Sequence, residues 1–120
     1  MSKSEFVELL KKRTKQLALD VILLYDKIQK TDSTRVIGRQ LIRSVTTTAA
    51  NYRAACIARS QKEFFSKMSI VVEEADETLF WLEMLKDAGF VEEVQVKPLM
   101  DEALEILKIV SKARKSASSN

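Results

Sequence analysis

Only two Gly and one Pro occur in 120 residues. Sandwiches, barrels and repeated βα crossovers reverse direction often and draw on these residues for their turns, so the chain has too few turn formers for any of them. A nearly all-helical fold follows. This length suits one domain of roughly 100 to 150 residues.

Apolar residues repeat at helical intervals along most of the chain. The spacing predicts a first helix over about residues 4–29, opened by Ser2 and Glu5 at capping-box separation, with Phe6, Leu10, Leu17, Val21, Leu24 and Ile28 as its core stripe. A second helix begins near Thr34, after a short polar reversal, and reaches about Ala58. Its inner side carries Ile37, Leu41, Val45, Thr48, Tyr52 and Cys56, and the interleaved Thr and Ala residues allow close helix approach. Ser60 and Glu63 form a second capping-box pair, which opens a third helix that Gly89 ends. The inner stripe of this helix is Phe64, Met68, Val71, Val72, Ala75, Leu79 and Leu82. A fourth helix spans about residues 96–115, with Pro98 in its first turn and Leu99, Ala103, Ile106, Leu107 and Val110 inward. Residues 116–120 read as a frayed polar tail.

Short connections favour antiparallel neighbours, so the expected fold is an all-α, up-down-up-down four-helix bundle over residues 1–115. A three-helix bundle with a detached segment is the alternative.

The absence of His and the presence of a single Cys exclude a Cys/His zinc cluster, a Ser-His-Asp triad and an intrachain disulfide. Glu73, Glu74, Asp76 and Glu77 resemble a carboxylate metal cluster, but bundle di-metal sites also use His. Cys56 has no His to activate it and reads as a structural thiol. The expectation is a protein that is not an enzyme and needs no metal or cofactor. With no disulfide and no signal-peptide-like or membrane-length apolar run, the expected compartment is the cytoplasm, away from membranes.

The net charge of +3 is small, but its distribution is uneven. Residues 35–62 carry Arg35, Arg39, Arg43, Arg53, Arg59 and Lys62 and no acid, whereas residues 73–105 carry eleven acids against Lys86 and Lys97. On the second helix, Arg35, Arg39, Arg43 and Arg53 share a face with Ile42, Thr46, Ala50 and Ile57, a mixture suited to a contact surface. On the third, Ile70, Glu74, Glu77, Trp81 and Met84 project opposite the inner stripe, with Phe80 alongside. Such a patch calls for burial against another subunit, or for a skewed bundle that tucks Trp81 away. If the cationic face of one protomer docks on the acidic face of the next, the contact is heterologous and closes into a ring when the rotation allows.

Nucleic acid is the competing use of the arginines. Lys11, Lys12, Arg13 and Lys15, with Lys108, Lys112, Arg114 and Lys115, extend the basic area if the start of the first helix lies beside the end of the last. Tyr52 and Phe65 stack on bases only if exposed. Asn51 reads as a helix-to-helix hydrogen-bonding residue.

The run ANYRAACIARSQKEFFSKMSIVVEEADETLFWLEMLKDAGF, preceded by LIRSVTTTA, resembles the 23S rRNA intervening-sequence protein family. The matching positions are Arg43, Asn51, Tyr52, Arg53, Ala55, Arg59, Ser60 and Phe64, then Glu74, Ala75, Glu77, Thr78, Trp81 and Leu82. Order and spacing match without a gap over the second and third helices, and the outer helices match by pattern. Where the family carries Glu in ANYREA this chain has Ala54, and where the NIAEG form has Gly it has Ala55, so a role for that acid does not carry over. The resemblance implies a left-turning antiparallel bundle and a ring-shaped homopentamer. It also implies kinship with the accessory variability proteins of diversity-generating retroelements, basic pentameric barrels that bind nucleic acid and a reverse transcriptase. The family name reflects genomic location inside ribosomal RNA insertions, not an activity.

From residues and resemblance together, the expectation is a ring-forming bundle that binds RNA or DNA through Arg35, Arg39, Arg43, Arg53, Arg59 and Lys62, with Ile70, Glu74, Glu77, Trp81 and Met84 at the subunit interface and Asn51 and Tyr52 structural. The alternative is a homo-oligomeric scaffold for protein partners with no affinity for nucleic acid.

Overall fold

The computed structural model describes residues 1–118. Four helices follow in order, α1 (Lys3–Asp26), α2 (Asp32–Ala55), α3 (Gln61–Asp87) and α4 (Glu93–Ser118), and no strand occurs among the described residues. Each helix packs on its neighbours in the chain and α4 returns to α1, while the diagonal helices stand further apart; the α2–α3 and α3–α4 seams are the most extensive. This is the antiparallel up-down-up-down bundle, 46 Å long and 26 by 19 Å across.

Local chemistry sets the helix ends. Ser2 accepts from the Glu5 N–H while Glu5 reaches back to the Ser2 N–H, which satisfies two donors that the helix leaves open. Thr31 and Thr34 do the same for α2, so this helix starts two residues before the position the sequence suggested. Ser60 caps α3 by accepting from Glu63, but the Glu63 carboxylate accepts from the Arg59 N–H instead of the Ser60 N–H. At the far end of α3, Gly89 takes φ +79, and the N–H of Phe90 reaches the carbonyl of Leu85 at 3.0 Å. That geometry requires a left-handed residue, which glycine adopts at least cost.

α4 departs most from expectation. It begins at Glu93, so Pro98 stands in the second turn and withholds an N–H from the carbonyl of Val94, an exposed residue where water can supply the missing donor. It also continues through Ser118 instead of ending near Lys115, because Ala117 is buried and holds the last turn against the bundle. Residues 119 and 120 of the expected tail lie outside the described residues.

The core runs the length of the bundle. Leu41, Met68, Val71, Leu82 and Leu85 are fully enclosed along the α2–α3 seam, with Val21, Ile106 and Val110 from the outer helices. Phe6 does not join it: this residue is 42% exposed at the mouth of the bundle, because the first turn of α1 extends past the packed layers. Gly38 admits the ring of Tyr25, which lies 2.1 Å from where a Cβ would stand, so α1 and α2 meet there through the absence of a side chain. No helix among the described residues is long and apolar enough to cross a membrane.

Candidate functional site

The arginines of α2 do not form one uniform face. Arg43 reaches across to α3, where its Nη1 lies 3.0 Å from Glu74 Oε1 and its Nη2 contacts Glu77 Oε1. The same Glu77 oxygen accepts from Trp81 Nε1 at 3.1 Å. Hydrogen bonds from Arg43 and then from Trp81 hold the Glu77 carboxyl below the usual carboxylate range. This acid–arginine pairing therefore forms within one chain, α2 to α3. Glu74 and Glu77 converge on a guanidinium and not on a vacant ligand position.

Trp81 is half-buried and packs against the core, with the edge of Phe80 meeting its ring at a centroid distance of 4.9 Å and 74°. Trp81 thus faces partly inward. What remains outward on α3 is an apolar ridge of Ile70, Phe80 and Met84, each between 38% and 48% exposed, edged by the exposed acids Glu73 and Glu83.

On the other side of α2 an outward groove of about 570 Å³ runs between α1 and α2. Ala18, Leu19, Ile22, Ala49 and Ala50 line it, and Lys11, Lys12, Lys15 and Arg53 supply its cations, with Glu8 the one acid. Lys11 is paired with Glu8 at 3.1 Å.

The remaining sequence-identified cations lie apart. Arg35 leans on Asp32 of its own helix at 3.8 Å, and Arg59, almost fully exposed, approaches Glu63 at 3.6 Å. Arg39 and Lys62 are exposed and stand in no ion pair within 4.0 Å among the described residues. Asn51 donates to the Thr47 carbonyl of its own helix at 3.0 Å and bridges no helix pair, since its side chain lies along α2. Tyr52 is buried, and burial drives its phenol pKa upward. Cys56 caps the end of α2 half-buried, and burial likewise pushes its thiol up, away from the thiolate.

Fold and charge combine in a way that no single helix reveals. The start of α1, the α2–α3 junction and the end of α4 come together, as shown by one cavity lined by Lys3, Arg59, Gln61 and Ala117 and by the bond from Gln61 Nε2 to the Ala117 carbonyl at 3.4 Å. Thr14, Thr48, Ala75 and Ile106 meet at one level of the bundle, so the half at this end comprises residues 1–15, 47–76 and 105–118, which hold thirteen Lys or Arg and seven Asp or Glu. The remaining residues hold seven cations and ten acids. The bundle is thus a charge dipole along its long axis, with the cations at the end where the chain starts. Midway, Arg13 binds Glu102 of α4 through two hydrogen bonds of 2.7 and 2.9 Å and locks α1 against α4 in that register.

Comparison with known proteins agrees with this architecture. The chain is similar to a crystallised protein of unknown function from the S23 ribosomal protein family of Bacteroides thetaiotaomicron VPI-5482. The two share 28% identity at a TM-score of 0.80, and the match covers 91% of this chain and 97% of that one. No curated protein matches. The family model for the 23S rRNA-intervening sequence protein matches residues 9–112, which take in all of α2 and α3 and most of α1 and α4. On that match, the chain belongs to the 23S rRNA-intervening sequence protein family.

Proposed function

We propose that this protein is a non-enzymatic, self-assembling bundle that binds nucleic acid, structured RNA foremost, through its cation-rich end. The observation that carries the reading is the axial separation of charge: thirteen cations against seven acids in one half of the bundle, and seven against ten in the other. Such a density attracts a phosphate backbone and releases its counterions, whereas the acidic remainder repels it and so orients the molecule. Self-assembly adds avidity by repeating the basic end around a ring, a homopentamer in the family's pattern. The α1/α2 groove, apolar with a cationic rim, complements the acid-edged ridge of Ile70, Phe80 and Met84 in shape class and in charge. A groove and a ridge on different helices make a heterologous contact, which is the kind that closes into rings. A cytoplasmic site of action accords with a chain whose single Cys cannot close a disulfide on itself.

The engagement of Arg43 within the chain favours a second reading, a scaffold for protein partners such as a reverse transcriptase, because it removes one cation from any phosphate-binding face. One pair of measurements separates the two. Light scattering gives the mass in solution, and titration with a folded RNA at two salt concentrations gives affinity and its slope. An oligomer whose affinity falls steeply with salt supports nucleic-acid binding; an oligomer with no affinity at low salt supports the scaffold.

A further inference from the structure

At the centre of the cation-rich end lies a cavity of about 580 Å³, within the range of sites that hold small ligands. Phe6, Leu10, Tyr52 and Phe64 wall it, and Ala113 and Ala117 leave space that larger side chains would fill. Lys3 and Arg59 are its charged residues, and no acid lines it. Phe6 stands 42% exposed here, an aromatic ring that bundle packing leaves open to solvent.

We infer that this cavity receives an unpaired nucleotide of a bound strand, with the base between Phe6 and Phe64 and the adjoining phosphates on Lys3 and Arg59. The inference rests on the nucleic-acid reading and names the form of nucleic acid preferred. An aromatic wall beneath a cationic rim is the arrangement with which proteins hold single strands, since every base offers a flat face for stacking and every nucleotide a phosphate. The Gln61 amide, the Ser60 hydroxyl and the Cys56 thiol, all lining the cavity, offer hydrogen-bonding groups to a base edge. Further cations stand on the elements that form the cavity, Lys62 after Gln61 and Lys112 and Arg114 flanking Ala113 in the chain. A ligand with one anionic head would use one of them; a strand that enters and leaves the cavity uses several. Of the two rings that the sequence offers for stacking only if exposed, Tyr52 is buried and Phe65 lies outside the cavity lining, whereas Phe6 and Phe64 line it.

The test compares fluorescence anisotropy of the full chain with an oligouridylate and with a blunt-ended RNA duplex carrying the same number of phosphates. Phe6→Ala is expected to weaken the oligouridylate about 5- to 100-fold and the duplex less than about twofold, in line with the loss of a stacked base. Ala113→Leu, which narrows the cavity without touching charge, is expected to act in the same direction, and Arg59→Gln to weaken both ligands. Circular dichroism verifies that each variant is folded. Equal losses on both ligands, or none for Phe6→Ala and Ala113→Leu while Arg59→Gln still weakens binding, overturn the pocket and leave the basic end standing. Failure of the unaltered chain to bind either ligand overturns both.

Discussion

The Thr78 hydroxyl of α3 lies 3.0 Å from the Ser44 hydroxyl of α2, both side chains sealed inside the α2–α3 seam. Ser44 donates to the Leu41 carbonyl, and the single Thr78 hydrogen is shared between the Ser44 oxygen and the Glu74 carbonyl of its own helix at 2.8 Å, so the pair ties two helices together inside the core. Thr78→Val keeps the shape and removes the link. The unfolding free energy should fall by about 0.5–1.5 kcal/mol, the net worth of a neutral hydrogen bond, with an unchanged urea m-value. An unmoved urea midpoint would show that the contact does not contribute.

The Arg43–Glu77–Trp81 chain makes stability depend on acidity. Glu77 is held below its ordinary pKa, so its contribution is present above the unfolded-state value and is lost as pH falls through the folded-state value. The contribution is at most about 1 kcal/mol, because both partners are partly in solvent. Between about pH 5 and pH 3 the unaltered protein should lose more stability than Arg43→Met, whose Glu77 has no guanidinium to lose. Trp81 fluorescence during urea unfolding follows this, as the chain has one Trp. Parallel pH profiles for the two proteins would refute the linkage.

Gly38→Ala should destabilise the bundle although Ala is the better helix former. The new methyl meets the Tyr25 ring, at an overpacking cost of about 1–3 kcal/mol against roughly 1 kcal/mol of gained propensity. Adding Tyr25→Ala should make the glycine substitution neutral or favourable. A double-mutant cycle reads that coupling directly, and independence of the two sites would contradict it.

Phe80→Glu tests the ridge without disturbing the core, since Phe80 is 48% exposed. The variant should stay helical and sediment as a monomer. Trp81→Glu confounds assembly with folding, because Trp81 packs on the core. An unchanged assembly in Phe80→Glu would remove the ridge from the subunit contact.

Much of this architecture was written locally in the chain. The Ser2/Glu5 box, the Gly89 stop and the α2 stripe from Ile37 to Tyr52 depend on neighbours within a turn or two, and each stands where the spacing put it. What escaped depends on how helices rotate against one another. A wheel put Glu74, Glu77 and Trp81 on an outer face, yet a modest rotation of α3 brings both acids within reach of Arg43 and lays Trp81 on the core. Phe6 shows the same limit: it keeps the period of the α1 stripe but lies beyond the last layer that could cover it. Gly38 gave no signal, because the ring that needs its space belongs to another helix. The axial charge separation was implicit in the positions of Lys12, Lys112 and Lys115, and only antiparallel packing brings them to one end.

The central claim is that location, not net charge, confers affinity for nucleic acid. Two triple variants of identical composition change test it most directly: Lys108, Lys112 and Lys115 to Gln at the basic end, clear of the α1/α2 groove, and Lys27, Lys86 and Lys97 to Gln elsewhere. With a folded RNA at fixed salt, the first set should lower affinity by at least about tenfold and flatten the salt dependence by up to about three counterions, while the second leaves both within about twofold. Equal losses from the two sets would contradict the account.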